Sequence, residues 1–480
     1  MIRRLSAWCA FSLLVLGLFA GLAHAQADDT RIKDPKDPPS VRQPKQWVGD
    51  AEAVPLLEDA PAPRRRRRLG GSLSRETIPE PWVLVPHRYE AGSRALFLHV
   101  LGYIKLDGMH DFEVNGLGVG FPNEFLPSQI PPRGSPDAAR KGRSGVTVNS
   151  SRLELGVHTP TVLGNAGALL DFNFMGNISG RPAFLLRQLY LEVGDLRFGK
   201  SWTTFINVDA IPDTLDYEGA NSLPEARQPL LRWTQPLGVG PLHGKPIWKE
   251  LSWVVAAEQP DAQLTLQPGT NVRNKVPDFV MNLEWQRGGS SVWLSGIYRR
   301  LEARGNGIEA AKNGWGIQLT GNLEFDPWPY IQFGVIHGKG LARYFNDTMG
   351  LGLDGMVTPQ GKLKLFSATG AWVGIQHWWI APLRSTVSYG YLRIGDDALQ
   401  PLPGDTNGIF HESHYASANL IYSPIPPLDI GIEYLFGYRR TTDGRSGIDN
   451  RIQVSLILHF ASGRAARSDR SLLDRLLGRE

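Results

Sequence analysis

Between the alternating runs "LRFGKSW" and "LLRWTQPL" lies the segment Ser201–Pro229, which carries the carboxylates Asp209, Asp213, Asp216 and Glu218, the guanidinium of Arg227, and prolines at 212 and 224. Acids at this density suit three kinds of chemistry. A calcium loop needs the D-x-[DN]-x-[DN]-G spacing, and Gly219 falls in the wrong place for it. Intraloop acids can instead cap backbone amides. They can also form one charged edge of a narrow, water-filled passage, where like-charged solutes meet a barrier and opposite charges are concentrated. Facing cations for such a passage are available on the wet side of alternating runs: Arg152 in "SRLELGV", Arg197 in "LRFGKS", Arg232 in "LRWTQ" and Arg451 in "NRIQVSL". The alternative for these arginines is simple pairing with Glu154, Glu284, Glu324 or Glu433. Arg187, in "LRQLYLEV", shares its register with Leu189, Leu191 and Val193, and its direction stays open.

Other clusters carry less. "HESHY" (His411, Glu412, His414) has ligand-type side chains, but the sequence places it in an outer loop without the i, i+4 spacing of a helical zinc site. There is no G-x-S-x-G elbow, and nothing in the spacing singles out His411 or His459 beside Ser413 or Ser455 as a hydrolase pair. The expectation is therefore no enzyme, no metal and no cofactor.

The elements that would position these residues are strands. In "GIQLTGNLEF", Ile317, Leu319, Leu323 and Phe325 share one face and Gln318, Thr320, Asn322 and Glu324 the other. Period two over that length predicts a strand with one oily and one wet face. "DFVMNLEW", "DIGIEYLF" and "RIQVSLILHF" read the same way. About sixteen such runs follow residue 94, and short links ("GD", "RGGS", "DPWP", "SPIPP") alternate with long ones (107–145, 203–228, 259–274, 340–363, 396–411). Outer-membrane barrels have this asymmetry, with tight periplasmic turns and long outer loops. With both ends on the periplasmic side, Ser201–Pro229 becomes the third outer loop. Aromatic residues such as Trp202, Trp233, Trp285, Trp315, Trp328, Trp378, Trp379 and Tyr422 fall near strand ends, as interfacial girdles require. No repeat of blade or solenoid length is present.

Bulk properties agree. A soluble chain of 480 residues would be expected to divide into domains of roughly 100 to 200 residues, whereas a barrel can run long. Residues 1–25 read as a secretory signal peptide: Arg3 and Arg4, an apolar stretch, then Ala23-His24-Ala25. Cys9, the single cysteine, lies within it, which leaves a mature chain without disulfides or thiolate ligands. No later run of about 18 apolar residues exists, so a membrane role requires strands. The formal charge of +4 comes from 51 basic and 47 acidic residues; without Arg3, Arg4 and Arg64–Arg68 the balance is 44 to 47. Residues 26–93 are rich in proline and charge and predict a flexible periplasmic arm. Its five arginines suit anionic lipid, a cell-wall contact or plain solvation better than nucleic acid. Residues 94–460 form the expected barrel, and residues 461–480, with Leu472, Leu473, Leu476 and Leu477, a short amphipathic tail helix.

"LRQLYLEVGDLRFGKSWTTFINVDAIPDTLDYEGANS" followed by "RQPLLRWTQP", together with "GYIKLDGMHDF", resembles the DcaP-like trimeric porins of Gram-negative outer membranes, relatives of the phosphate-selective porins. The resemblance implies a sixteen-stranded barrel that assembles as a homotrimer in outer-membrane lipid and passes small, mainly anionic, organic solutes of dicarboxylate-like kind. Members usually carry an N-terminal heptad segment, where this chain has the proline-rich arm. Three readings of function stand at this point: a passive porin constricted by its third loop, a plugged structural or adhesion barrel, and a barrel enzyme.

Overall fold

The computed structural model describes residues 83–85, 96–113, 124–139, 141–161, 164–178, 181–237, 250–325, 329–395 and 408–461. The expected signal peptide, nearly all of the arm and the expected tail helix lie outside the described residues.

Sixteen antiparallel strands close into a barrel. They are β1 (Leu96–Glu113), β2 (Lys141–Thr147 continued by Arg152–Thr161), β3 (Gly164–Ile178), β4 (Arg181–Val193), β5 (Leu196–Trp202), β6 (Arg227–Pro236), β7 (Leu251–Glu258) and β8 (Asp278–Arg287). The second half comprises β9 (Ser290–Gly305), β10 (Ile308–Glu324), β11 (Tyr330–Lys339), β12 (Ser367–Ile380), β13 (Leu383–Gly395), β14 (Phe410–Ile425), β15 (Leu428–Thr441) and β16 (Ser446–Ala461). Pairing of β1 with β16, from Leu101↔Ala461 to Asp111↔Arg451, removes the free edge.

Period-two sequence dictates which face meets which solvent. Ile104, Leu106, Met281, Leu283, Ile317, Leu319, Val454 and Leu456 are exposed on the outer wall, while Lys105, Asp107, Asn282, Gln318, Thr320, Gln453 and Ser455 are buried inward. Apolar outside and charged inside is the reverse of a water-soluble protein and suits a lipid surround. The tight turns sit at one end, at Gly194-Asp195, Gly288-Gly289, Ala381-Pro382 and Pro426-Pro427, and the long loops at the other.

One outer link is shorter than expected. Pairing of β1 with β2 continues from Asp107↔Thr147 to Glu113↔Lys141, so the first loop (L1) shortens to 114–140. The β9–β10 hairpin runs out to a two-residue turn, where Asn306 (φ 49°) and Gly307 (φ 76°) adopt the left-handed conformation that this turn demands. "HESHY" lies in β14 rather than in a loop. The strand alternation turns Ser413 inward and His414 outward onto Tyr389, so the cluster is split between two faces.

The third loop (L3, 203–226) folds into the barrel and docks on strands far from its own base. Lys105 Nζ of β1 and Gln453 Nε2 of β16 donate to Leu215 O at 2.5 and 2.9 Å, and the amides of Leu215 and Asp216 donate to Glu433 Oε2 of β15 at 2.7 Å each. Trp372 Nε1 of β12 donates to Ala210 O at 2.8 Å. Inward-facing glycines make this approach possible: a Cβ on Gly374 would stand 2.7 Å from Pro212, and one on Gly431 2.7 Å from Leu215. L1 and the sixth loop (L6, 340–366) join L3 in one apolar core inside the barrel, through Phe125, Phe205, Leu223, Tyr344 and Phe345.

Because those glycines leave room for the L3 tip, Gly431→Val is expected to unseat it at a cost of about 1–3 kcal/mol. The measurement is a thermal melt beside limited proteolysis: a lower midpoint and faster cleavage within L3, at unchanged strand content.

Candidate functional site

Within L3 every residue from 203 to 226 is buried except Tyr217, Glu218 and Glu225. Those three, with half-buried Arg227 at the foot of β6, are the part of the loop left to meet solvent or solute. The side chains nearest them on the wall come from β2 to β6. Asn173 Nδ2 donates to Tyr217 Oη at 2.6 Å, and Arg187 Nη1 donates to the same oxygen.

Arg187 reaches this position through a backbone irregularity. In the β3–β4 ladder Asp171 pairs with Gln188 and Phe172 with Leu186, which leaves Arg187 as the extra residue of a β-bulge. A bulge re-aims the side chain it carries. The guanidinium is therefore 4 % exposed and packs against the Tyr217 and Trp202 rings at 5.3 and 6.0 Å, although simple alternation would send it outward with Leu189 and Leu191. Arg227 lies over Trp202 at 3.2 Å. Neither arginine makes an ion pair among the described residues; Nε of Arg187 and both Nε and Nη2 of Arg227 are buried without a hydrogen-bond partner.

The other cations of the lumen are committed. Arg152 holds Asp171 through both carboxylate oxygens at 2.6 and 2.5 Å, with Glu154 at 3.5 Å. Arg451 holds Asp111 at 2.5 and 3.1 Å. Arg197 pairs with Glu192 at 2.5 Å, and Arg232 donates to Trp202 O at 2.6 Å and Thr204 Oγ1 at 2.9 Å. On the loop, Asp213 accepts from Arg384 Nε at 2.8 Å and Gln376 Nε2 at 2.7 Å, which makes it an anchor. Asp216 accepts from the Gly219 amide at 3.0 Å, the capping role open to intraloop acids. Asp209 sits in a short turn whose amide is capped by Asn207. Trp202 is 1 % exposed and belongs to this cluster, so it is no girdle residue.

Comparison with known proteins decides the family. A family model described as DcaP outer membrane protein matches residues 94–459. The chain belongs to the DcaP outer membrane protein family. The DcaP channel of Acinetobacter baumannii shares the fold, with a TM-score of 0.61 at 20 % identity over 76 % of this chain and 97 % of that one. More distant similarity extends to an anion-selective porin from Comamonas acidovorans (TM-score 0.46, 11 % identity, 77 % of this chain and 100 % of that one). No curated protein matches the sequence. This DcaP-family chain is thus a porin-like barrel of a Gram-negative outer membrane.

The electrostatics of the DcaP-family site depend on carboxyls in L1 and L3, neither of which spans the membrane. Burial, and then the charge of Asp216, push Glu124 of L1 up to about 7. Burial also lifts Asp216 to about 7 against Arg451 and Lys105, and Glu225 to about 7 against Arg227 and Arg187. Glu218 is pushed well above the ordinary range by burial and by Glu124, Glu225 and Asp216 together. Near pH 7 Glu124, Asp216 and Glu225 are poised between neutral and charged beside two arginines that have no fixed counter-ion.

Several anchors carry no motif of their own in the sequence. Arg384 ties Asp213 to Asp429 at 3.0 Å, and Glu258 accepts from Thr204 N and Thr203 Oγ1 at 2.6 Å. Both were accessible as polar residues on wet faces, beside Thr386 and Ser388 in one case and at the end of "LSWVVAAE" in the other. Arg384→Ala leaves Asp213 and Asp429 buried without their cation, a change that costs about 3–5 kcal/mol where such pairs are broken. The expected result is a lower thermal midpoint, recovered in part by the double variant Arg384→Ala/Asp213→Asn.

Proposed function

We propose that this barrel is a passive porin for small hydrophilic anions, of dicarboxylate-like kind, in which L3 forms a narrow constriction. The observation that carries the reading is the pair Arg187 and Arg227. Every other lumen arginine named above is held by a carboxylate or by two hydrogen bonds, while these two border the solvent-facing part of L3 with no carboxylate and with buried nitrogens that lack partners, Arg187 being tied only to the Tyr217 hydroxyl. A buried guanidinium left so is costly unless something arrives to satisfy it. A carboxylate offers the planar, bidentate match. Arg152, close enough to act on Arg187 electrostatically, adds to the positive field even though Asp171 holds it. Asp209, Asp213 and Asp216 fix the loop, and Glu218 and Glu225 set the opposing charge. Arg197, Arg232 and Arg451 complete the charged wall. No chemistry on the solute and no cofactor is part of the proposal.

The assembly proposed is a homotrimer in outer-membrane lipid, exported by a signal peptide, with the 26–93 arm reaching the periplasmic cell wall. A plugged barrel is the second reading, and the apolar core shared by L1, L3 and L6 favours it. Planar-bilayer recording of the mature protein separates the two. The porin reading expects small conductance steps in groups of three with an anion-biased reversal potential; silence from a folded barrel supports the plug. Arg187→Ala and Arg227→Ala are each expected to reduce anion preference by on the order of tenfold, within the range by which focused charge concentrates ions.

The pH dependence has a definite sign. Below pH 7 the raised carboxyls Glu124, Asp216 and Glu225 hold their protons, and the arginines act unopposed. Above it they ionise and cancel the field. Anion preference is therefore expected to be highest near pH 5.5 and to fall through a midpoint near 7; a preference flat from pH 5 to 9 would remove these acids from the constriction.

A further inference from the structure

A second group of cations lies at the long-loop end of β10 to β13, with Lys339 and Arg393 on the outer wall, Lys312 on β10 and Lys364 on L6. Lys312, Lys339, Lys364 and Arg393 line a cavity of about 520 Å³ with Asn313 and Ser367, and no carboxylate is among its lining residues. Lys339 of β11 stands opposite Trp315 on β10 and Ser367 on β12; Arg393 stands opposite Thr369 on β12. Lys339 and Arg393 keep the outward register of Val335, His337 and Tyr389, so they point away from the lumen. Among the described residues, Lys312, Lys339 and Arg393 make no ion pair. Arg300 nearby behaves differently, being tied to Glu302 at 3.2 Å.

The height of this group decides what it meets. It lies at the long-loop end of the strands, which is the outer end of such a barrel. Next to it on the same wall runs a series of rings: Trp315 against His337 at 5.9 Å, Tyr391 against His414 at 5.2 Å and His414 against Tyr438 at 5.4 Å. Rings in that position mark the boundary between acyl chains and headgroups. Lys339 and Arg393, facing outward beside that boundary, sit at the level of the outer-leaflet headgroups. Strands two apart in a sheet are separated by about 9.5 Å, so Lys339 and Arg393 can engage separate anionic groups of one large headgroup.

We propose that this cluster at the outer rim, led by Lys339 and Arg393, binds the phosphorylated sugar headgroup of outer-leaflet lipopolysaccharide. The lysines supply point charges for phosphate oxygens and Arg393 a fork that matches two of them. Asn313 and Ser367 offer hydrogen bonds to sugar hydroxyls. The proposal rests on the outer-membrane location and stands whether or not the lumen conducts.

The test measures binding of purified lipopolysaccharide to the full mature protein in neutral detergent, with dephosphorylated lipopolysaccharide and inorganic phosphate as the other probes. Wild type is expected to bind the phosphorylated form, to bind the dephosphorylated form at least about tenfold more weakly, and to be indifferent to millimolar inorganic phosphate. The variant Lys312→Gln/Lys339→Gln/Lys364→Gln/Arg393→Gln is expected to lose the preference for phosphate, while Arg300→Gln keeps it. The single variants Lys339→Gln and Arg393→Gln each lower affinity in the same direction, which guards against misfolding of the quadruple variant. Equal binding of both glycolipid forms by wild type, equal binding by wild type and a folded quadruple variant, or competition by free phosphate would each overturn the assignment.

Discussion

Closure of β1 onto β16 is the constraint from which the rest of this structure follows. In hydrocarbon an unpaired backbone amide or carbonyl costs several kcal/mol, so a sheet can live there only without an edge. Once the sheet is a ring, its two faces meet different surroundings, and period-two sequence sends Leu456 and Val454 to lipid and Ser455 and Gln453 inward. The lumen is then lined by groups that must satisfy one another. Arg451 stands directly opposite Asp111, and Arg152 reaches diagonally to Asp171 on the neighbouring strand.

The same requirement governs L3. A loop of this length inside a barrel brings many backbone polar groups out of water, and each needs a partner. The wall provides them from β1, β8, β12, β14, β15 and β16: Lys105, Asn282, Trp372, Asn419, Glu433 and Gln453 all bond to its main chain. Asp213 and Asp216 among the loop's own acids are committed to this docking, to Arg384 and Gln376 and to Gly219 and Tyr415. What distinguishes Tyr217, Glu218 and Glu225 is that docking leaves them over. The bulge at Arg187 adds a cation at that spot, which regular pairing of β3 with β4 would have turned toward lipid.

Strand number, loop alternation, the wet and oily faces and the position of L3 were legible in the sequence because each depends on a local period or on link length. Which charges are free was not. Asp213 reads as a lining residue until Arg384, far along the chain, is seen to hold it, and sequence distance carries no information about that pairing. Arg187 was undecidable for a sharper reason. Alternation is the tool that assigns a face, and a bulge is a break in alternation. Trp202 misled in the same way, since a ring at a strand end reads as interfacial, yet this strand end opens into the inward-folded loop. The girdle survives on strands such as β10 and β14, where Trp315 and Tyr422 remain exposed.

One strand displays how far a period-two pattern can be taken. Along β11, Gln332, Gly334 and Ile336 face the lumen, and the glycine there leaves space for the indole of Trp372. On the opposite parity Val335 meets acyl chains, His337 packs edge-on against Trp315 at the boundary, and Lys339 passes beyond it. Apolar, aromatic and cationic residues thus follow one another at steps of about 6.8 Å, the two-residue rise of a strand. A bilayer changes from hydrocarbon to charged headgroup over a comparable distance, so the outer register of β11 matches the membrane profile while its inner register serves the lumen. The two sets of cations, Arg187 with Arg227 inside and Lys339 with Arg393 outside, are separated by nothing more than the parity of the strand, apart from the bulge that moved Arg187 across it.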